Sequence, residues 1–271
     1  MRNRVHHVSQ IWQSEIDEGS VTELPVGHKV VGVVVRRLRE DAEQDRLFRQ
    51  QAIDVYEGLV EYLKRGGQFQ NEGAARAVRI DQFTDLEKEA SNPLEIKWYD
   101  KDMDSADAKY VKNGGDPEIR LYVLSQAIFD SEKETRTAMR RGLENHAKIF
   151  MHEYIHYLDD RRTEANIQDL AQYEPGEGKQ WATYFTDPFE VNAYFQSGLA
   201  QLEHTLEVPG LLDTRMKRDW NESFRKFKDW FFDEHIPPRM QYNISDDQEK
   251  RLINRLYGFW ERVKKRYEQD I

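Results

Sequence analysis

The amino-acid sequence predicts an α+β fold, with a small mixed sheet and helices in the N-terminal part and a mainly helical lobe after it. Three observations carry this expectation. Runs of β-branched or alternating apolar residues all occur before residue 125. From Leu143 onward the apolar residues recur at helical spacing instead. Between these regions lies His152-Glu153-Tyr154-Ile155-His156, an H-E-x-x-H pattern set in a helical frame. The expected division is residues 1–130 as an α/β lobe and 131–271 as a helical lobe carrying the pattern and the helix that follows it.

In chain order, Val30-Val-Gly-Val-Val-Val35 is dense in β-branched residues and reads as a buried strand. Residues 42–65 read as a helix, because Phe48, Ala52, Val55, Leu59 and Leu63 fall on one face and Gly66-Gly67 ends the run. Ala77 to Ile80 and Leu94 to Tyr99 are short strands. Glu118 to Leu124 alternates, with Ile119, Leu121 and Val123 on one face and Glu118, Arg120 and Tyr122 on the other. Such alternation marks a half-buried strand, expected at an edge of the sheet. A loop is expected over 163–186, around Pro175-Gly176 and Gly178. Asp187 then serves as N-cap with Pro188 at the first helical position. A helix from Asp213 to Asp233 aligns Met216, Trp220, Phe224, Phe227 and Phe231 before Pro237-Pro238 breaks it. The last helix, Ser245 to Gln269, aligns Leu252, Leu256, Trp260, Val263 and Tyr267. Both aromatic stripes read as core.

With 271 residues, the chain is long enough to bury a full core. Its formal net charge of −10, with 33% charged residues, argues against nucleic acid or an anionic membrane as partner. There are no cysteines, which removes disulfides, thiolate catalysis and cysteine-ligated zinc, so a metal must be held by His and carboxylate. The N-terminus lacks the apolar run of a signal peptide, and Val30 to Val35 is far too short to span a bilayer. A cytoplasmic location is expected.

Histidines four apart on a helix are offset by about 40°, so both imidazoles lean over one spot, as two ligands of a single tetrahedral zinc must. Glu153 lies about 100° round from His152, within reach of a water there but off the ligand axis. Leu143, Ala147, Phe150, Met151, Tyr154 and Leu158 form the opposite, core-facing stripe. With 8 His in the chain, chance supplies roughly 0.02 such patterns. Catalytic zinc takes three protein ligands and keeps a fourth position open. Glu190, in the first turn of the next helix, is the expected third. Asp159, Asp160, Glu164 and His204 are rivals. Asp159 is better suited to orienting a histidine N–H, because a third ligand from the same helix would crowd the site. His204 sits about 21 Å along the Glu190 helix and cannot share its metal.

His152-Glu-Tyr-Ile-His-Tyr-Leu-Asp159 and Asp187-Pro-Phe-Glu-Val-Asn-Ala-Tyr194 resemble the two motifs of the gluzincin class of zinc metallopeptidases. The run Glu190 to Phe195 is similar to the second motif of compact intracellular members, including anti-repressor metallopeptidases of mobile elements. The wording also resembles phage-encoded metallopeptidases. The resemblance covers residues 143–205, about a quarter of the chain. It implies a zincin-like fold, Zn²⁺ held by His152, His156 and Glu190, and peptide-bond hydrolysis with Glu153 activating a water on the metal. It also implies a protein or peptide substrate, whose extended backbone would pair with a strand such as 118–124. A Tyr or His would steady the oxyanion, with Tyr184, Tyr194 and Tyr157 as candidates. One departure stands out: thermolysin-like members place an aspartate four residues after the glutamate, where this chain has Tyr194. Asp159 or Asn192 is left to take over its support of a histidine. The alternative reading is a non-catalytic zincin-like structural or binding protein of phage or mobile-element origin; hydrolysis of a non-peptide amide is a third. Asp100, Asp102 and Asp104 are spaced as in a calcium loop, but the loop lacks the glycine at position 6 and the acid at position 12. It reads as a solvated acidic loop.

Overall fold

The structure, a computed structural model, describes residues 28–88, 90–104, 107–113, 116–124, 131–163, 186–207 and 223–269. Of the expected loop 163–186, residues 164–185 lie outside the described residues, as do the positions Glu164, Tyr184, Met216 and Trp220. The chain forms two compact units, Met1–Gln44 and Asp45–Ile271. The sheet, both apolar cores and the candidate site belong to the second.

Helix α1 spans His28–Lys64. Its Phe48, Ala52, Val55, Leu59 and Leu63 are buried as the periodicity requires. The segment Val30–Val35, expected as a strand, is instead part of this helix. A six-residue apolar run has no decisive period, and here it continues into strongly helical sequence, which outweighs the β preference of valine.

Five strands follow, β1 Gln70–Glu72, β2 Ala75–Arg79, β3 Glu95–Asp100, β4 Ala108–Asn113 and β5 Asp116–Leu124. They form one sheet in the order β1-β2-β3-β5-β4. β3 and β5 run parallel and the other pairs antiparallel, so the sheet is mixed, as expected. Strand β5, expected at an edge, is interior, and β4 is the edge strand beside it. The alternation within β5 misleads because its polar face is also covered. Glu118 is buried under an ion pair from Lys97 of β3 (3.0 Å), and Tyr122 stacks on Tyr99.

Helices α2 Glu132–Asn145 and α3 Ala147–Thr163 pack on the sheet, and α4 Pro188–Glu207, α5 Phe224–His235, α6 Pro238–Asn243 and α7 Asp246–Gln269 follow among the described residues. Ser245 opens α7 with a capping box: its hydroxyl accepts from the Gln248 N–H (3.2 Å), while the Gln248 side chain accepts from the Ser245 N–H (2.9 Å). There are two apolar cores. The first joins the α1 stripe, Ile96, Trp98, Ile119 and Leu121 of the sheet, and Phe150, Met151 and Tyr154 of α3. The second joins Phe195 and Leu199 of α4 to the aromatic stripes of α5 and α7. Helix α4 belongs to both, since its Ala193 and Ala200 enter the first core.

Helices α4 and α5 meet at Gly198. A Cβ there would lie 2.8 Å from His235 Cβ and 3.1 Å from Phe231 Cζ. His235 is buried against Trp230 and Phe231, and neither of its ring nitrogens has a hydrogen-bond partner. Burial, assisted by the nearby Lys148 ammonium, lowers its pKa to about 3. The unfolded chain protonates this histidine near pH 6.5, so the folded protein binds fewer protons below that pH. The stability it contributes is therefore fully present above pH 6.5 and is lost as the pH falls from 6.5 toward 3. The steepest loss from this residue is about 1.4 kcal/mol per pH unit. Denaturant titrations across that window will show the slope, and His235→Leu will flatten it. Gly198→Ala will lower stability by about 1–3 kcal/mol in the same assay, as overpacking does.

Candidate metal centre

The H-E-x-x-H segment forms α3, as the spacing predicts, but not as a continuation from Leu143. Leu143 ends the stripe of α2, and the chain breaks at His146, whose N–H and ring Nδ1 both engage the Gly142 carbonyl (3.1 and 2.9 Å). Nor does α3 have an open histidine face. Every residue from Phe150 to Asp160 is buried, because β4 and β5 of the sheet cover one side, α4 another and the α1 stripe a third.

Asp187 fixes the start of α4, its carboxylate accepting from the N–H of Phe189 (2.8 Å) and of Glu190 (3.4 Å), with Pro188 at the first position. This cap sets Glu190 in the first helical turn, facing α3. The Nε2 atoms of His152 and His156 are 3.1 Å apart. Glu190 Oε2 is 3.4 Å from His152 Nε2, and Oε1 is 3.3 Å from His156 Nε2. Among the described residues these three side chains form a group able to hold a metal ion.

The donor set fits zinc closely. Ligand bonds of 2.0–2.1 Å at tetrahedral angles put neighbouring donors about 3.3–3.4 Å apart, and the separations here are 3.1, 3.3 and 3.4 Å. Two imidazole nitrogens so close, with a carboxylate across both, make a poor hydrogen-bond arrangement, and Glu190 Oε2 is left without a hydrogen-bond partner. With no metal, protons must supply the missing positive charge. Burial opposes protonation of His156, but the Glu190 carboxylate, reinforced by Glu153 and Asp159, outweighs it and lifts the pKa to about 9. Burial likewise works against a charged Glu190, yet the two imidazoles hold its carboxyl far below the ordinary range.

Glu153 is buried beside the group, and its Oε2 accepts the backbone N–H of Tyr110 on β4 at 2.6 Å. That N–H points away from β5, so Tyr110 belongs to the set of β4 residues whose amides face outward from the sheet. The Tyr110 hydroxyl donates to Asp160 Oδ2 (2.9 Å), which also receives Lys112 Nζ (3.0 Å). Burial together with the Asp160 carboxylate raises the Tyr110 pKa, so this hydroxyl stays protonated. A cleft of about 370 Å³ opens past this clamp, bounded by Lys112, Tyr157, Arg161 and Asn92.

Of the expected site residues, His152, His156 and Glu190 come together, with Glu153 adjacent. Tyr194 packs its ring on His152, centroids 4.3 Å apart. Tyr157 holds its hydroxyl toward Arg161, from which it accepts at 2.9 Å. His204 lies against Glu57 and Tyr56. Asp159 does not orient a histidine N–H: among the described residues the Nδ1 atoms of His152 and His156 have no hydrogen-bond partner, and Asp159 accepts instead from Asn192 Nδ2 (3.1 Å). In the acidic loop, Asp100 accepts the Asp102 N–H and Asp104 pairs with Lys109, so these acids serve the backbone and a lysine. Sequence reasoning missed β4 and the Tyr110 amide. A signal was present, since Asn113-Gly114-Gly115-Asp116 separates two strand-forming runs by the two glycines typical of a tight hairpin. Comparisons with family models, with curated proteins and with solved structures give no significant match to this chain.

Asp160→Ala removes the acceptor that Tyr110 and Lys112 share. It will cost about 1–3 kcal/mol of stability, as loss of a partner for a buried polar group does. In hydrogen exchange the Tyr110 amide will exchange faster, while the amides of β3 keep wild-type protection.

Proposed function

We propose that this protein is a zinc-dependent metallopeptidase of zincin-like, gluzincin type, acting on a protein or peptide substrate in the cytoplasm. The observation that carries the reading is the donor triangle of His152 Nε2, His156 Nε2 and Glu190, whose sides match a tetrahedral zinc site. Zinc bound there supplies Lewis acidity toward a carbonyl and acidifies a water. The chain supplies the rest. Glu153 takes the proton of the attacking water and delivers it to the departing amine. The bond from Tyr110 N–H fixes one of its carboxylate oxygens and leaves the other for the proton. Tyr194, stacked beside His152, is the described tyrosine nearest the histidines by ring contact and is assigned to the oxyanion.

One observation favours the second reading, a non-catalytic zincin-like binding or structural protein. Glu153 has a structural duty at Tyr110 and so has a reason to persist without catalysis. Glu153→Gln separates the two. On the peptidase reading, purified protein binds one Zn²⁺ per chain and cleaves members of a proteome-derived peptide mixture. The variant keeps the metal and loses about 10²–10⁴-fold in rate. Zinc binding with no cleavage by the wild type, and no difference in the variant, establishes the binding protein instead. Glu190→Gln, which removes the ligand charge, will lower metal affinity in the same preparations.

A further inference from the structure

Among the described residues the Nδ1 atoms of His152 and His156 have no hydrogen-bond partner. What the structure offers close to the three side chains is a chain of polar contacts that joins four helices. Asn192, two residues after Glu190, donates through Nδ2 to Asp159, three residues after His156 (3.1 Å). The Oδ1 of the same amide accepts from Arg255 Nη2 on α7 at 2.9 Å. That nitrogen also donates to Asp45 Oδ2 on α1 at 2.7 Å, and the guanidinium lies over the Phe195 ring, 4.8 Å from its centroid. Asp159 is buried, while Arg255, Asn192 and Asp45 are half-buried. Both ends of the Asn192 amide are used, so its orientation is set by the carboxylate on one side and the guanidinium on the other.

We propose that Asp45, Arg255 and Asn192 form a positioning relay that, through Asp159, locks the Glu190 helix against the histidine helix and so fixes the geometry of the metal ligands. The proposal rests on the zinc reading above. None of the four residues touches the metal group itself; each acts through the separation and rotation of α3 and α4. The Asn192–Asp159 bond ties the two helices within one turn of a ligand on each. Arg255 prevents the amide from turning over, and Asp45 anchors Arg255 by charge. Such outer partners of ligand residues typically affect metal affinity by about 10–100-fold.

The test is metal binding by the full chain, measured with Zn²⁺ against a chromophoric chelator and with Co²⁺ by its visible spectrum, beside thermal unfolding of the metal-free form. Asn192→Leu and Arg255→Met will weaken Zn²⁺ binding about 10–100-fold and change the shape of the Co²⁺ bands, which report ligand geometry. Arg255→Lys will recover most of the affinity, because one ammonium nitrogen can stand where Nη2 donates to both oxygens. Should Asn192→Leu fail to fold, Asp45→Asn keeps the shape of the outermost member and will show a smaller loss in the same direction. Wild-type Zn²⁺ affinity and an unchanged Co²⁺ spectrum in folded variants, whatever the change in melting temperature, overturn the relay and leave the zinc reading intact. Failure of the wild-type protein to bind either metal overturns both.

Discussion

Two imidazoles of α3 and a carboxylate of α4 crowd within 3.4 Å of one another, at a stretch of α3 that is buried all round, and the surrounding architecture answers to that crowding. Ionised groups are costly to bury unless they are paired and bonded on all sides. The helix that carries the histidines must therefore be enclosed by elements that each bring a partner. α4 brings Glu190 with Asn192, β4 brings the Tyr110 amide with the Tyr110 hydroxyl and Lys112, and α7 brings Arg255 behind Asn192. α4 can enclose the site because it is apolar on two sides, with Ala193 and Ala200 in the core around α3 and Phe195 and Leu199 in the core around α5 and α7.

A second pair of contacts holds α4 to α1. Buried Arg49 donates to Gln196 (2.8 Å) and to Glu203 (3.0 Å), about one and a half and three and a half turns beyond Glu190 on α4. Polar groups of this kind contribute less to net stability than the same area of apolar packing, because their desolvation offsets much of their attraction. They are selective about geometry, however. Hydrogen bonds at Asn192, Gln196 and Glu203 fix how α4 is rotated and how far it has slid, which a stripe of apolar contacts tolerates within limits.

The helical half and the convergence of His152, His156 and Glu190 were legible in the sequence because their signals are local. Four-residue spacing on a helix dictates that His152 and His156 converge, and an aspartate followed by proline dictates where α4 begins. The aromatic stripes of α5 and α7 are buried as their spacing requires, at Phe227, Phe231, Leu252, Leu256 and Trp260. What was not legible depends on pairing between distant segments. The alternation in 118–124 describes a strand with one apolar face, but its place in the sheet depends on Lys97 and Tyr99 covering the other face. Asp159 has the correct angle to serve a histidine, yet Asn192 claims it from another helix. The strand β4, with lysines at 109 and 112, has too little apolar contrast to be visible alone. Val30 to Val35 failed for the opposite reason: its composition is emphatic, but composition without a period does not choose between strand and helix.

The grip of Glu153 on the Tyr110 amide also bears on how the protein behaves in concentrated solution. An open sheet has two free margins, and unpaired amides along a margin invite a neighbouring molecule to add a strand. Here one margin is β1, three exposed polar residues long, too brief to seed a ladder. The other is β4, where the middle outward amide is already occupied from within the molecule and lysines at 109 and 112 add charge to the strand. A second copy pressing its own edge against β4 would find the central rung of the ladder taken. The same carboxylate that serves the histidine helix thus helps keep the sheet from growing by self-association.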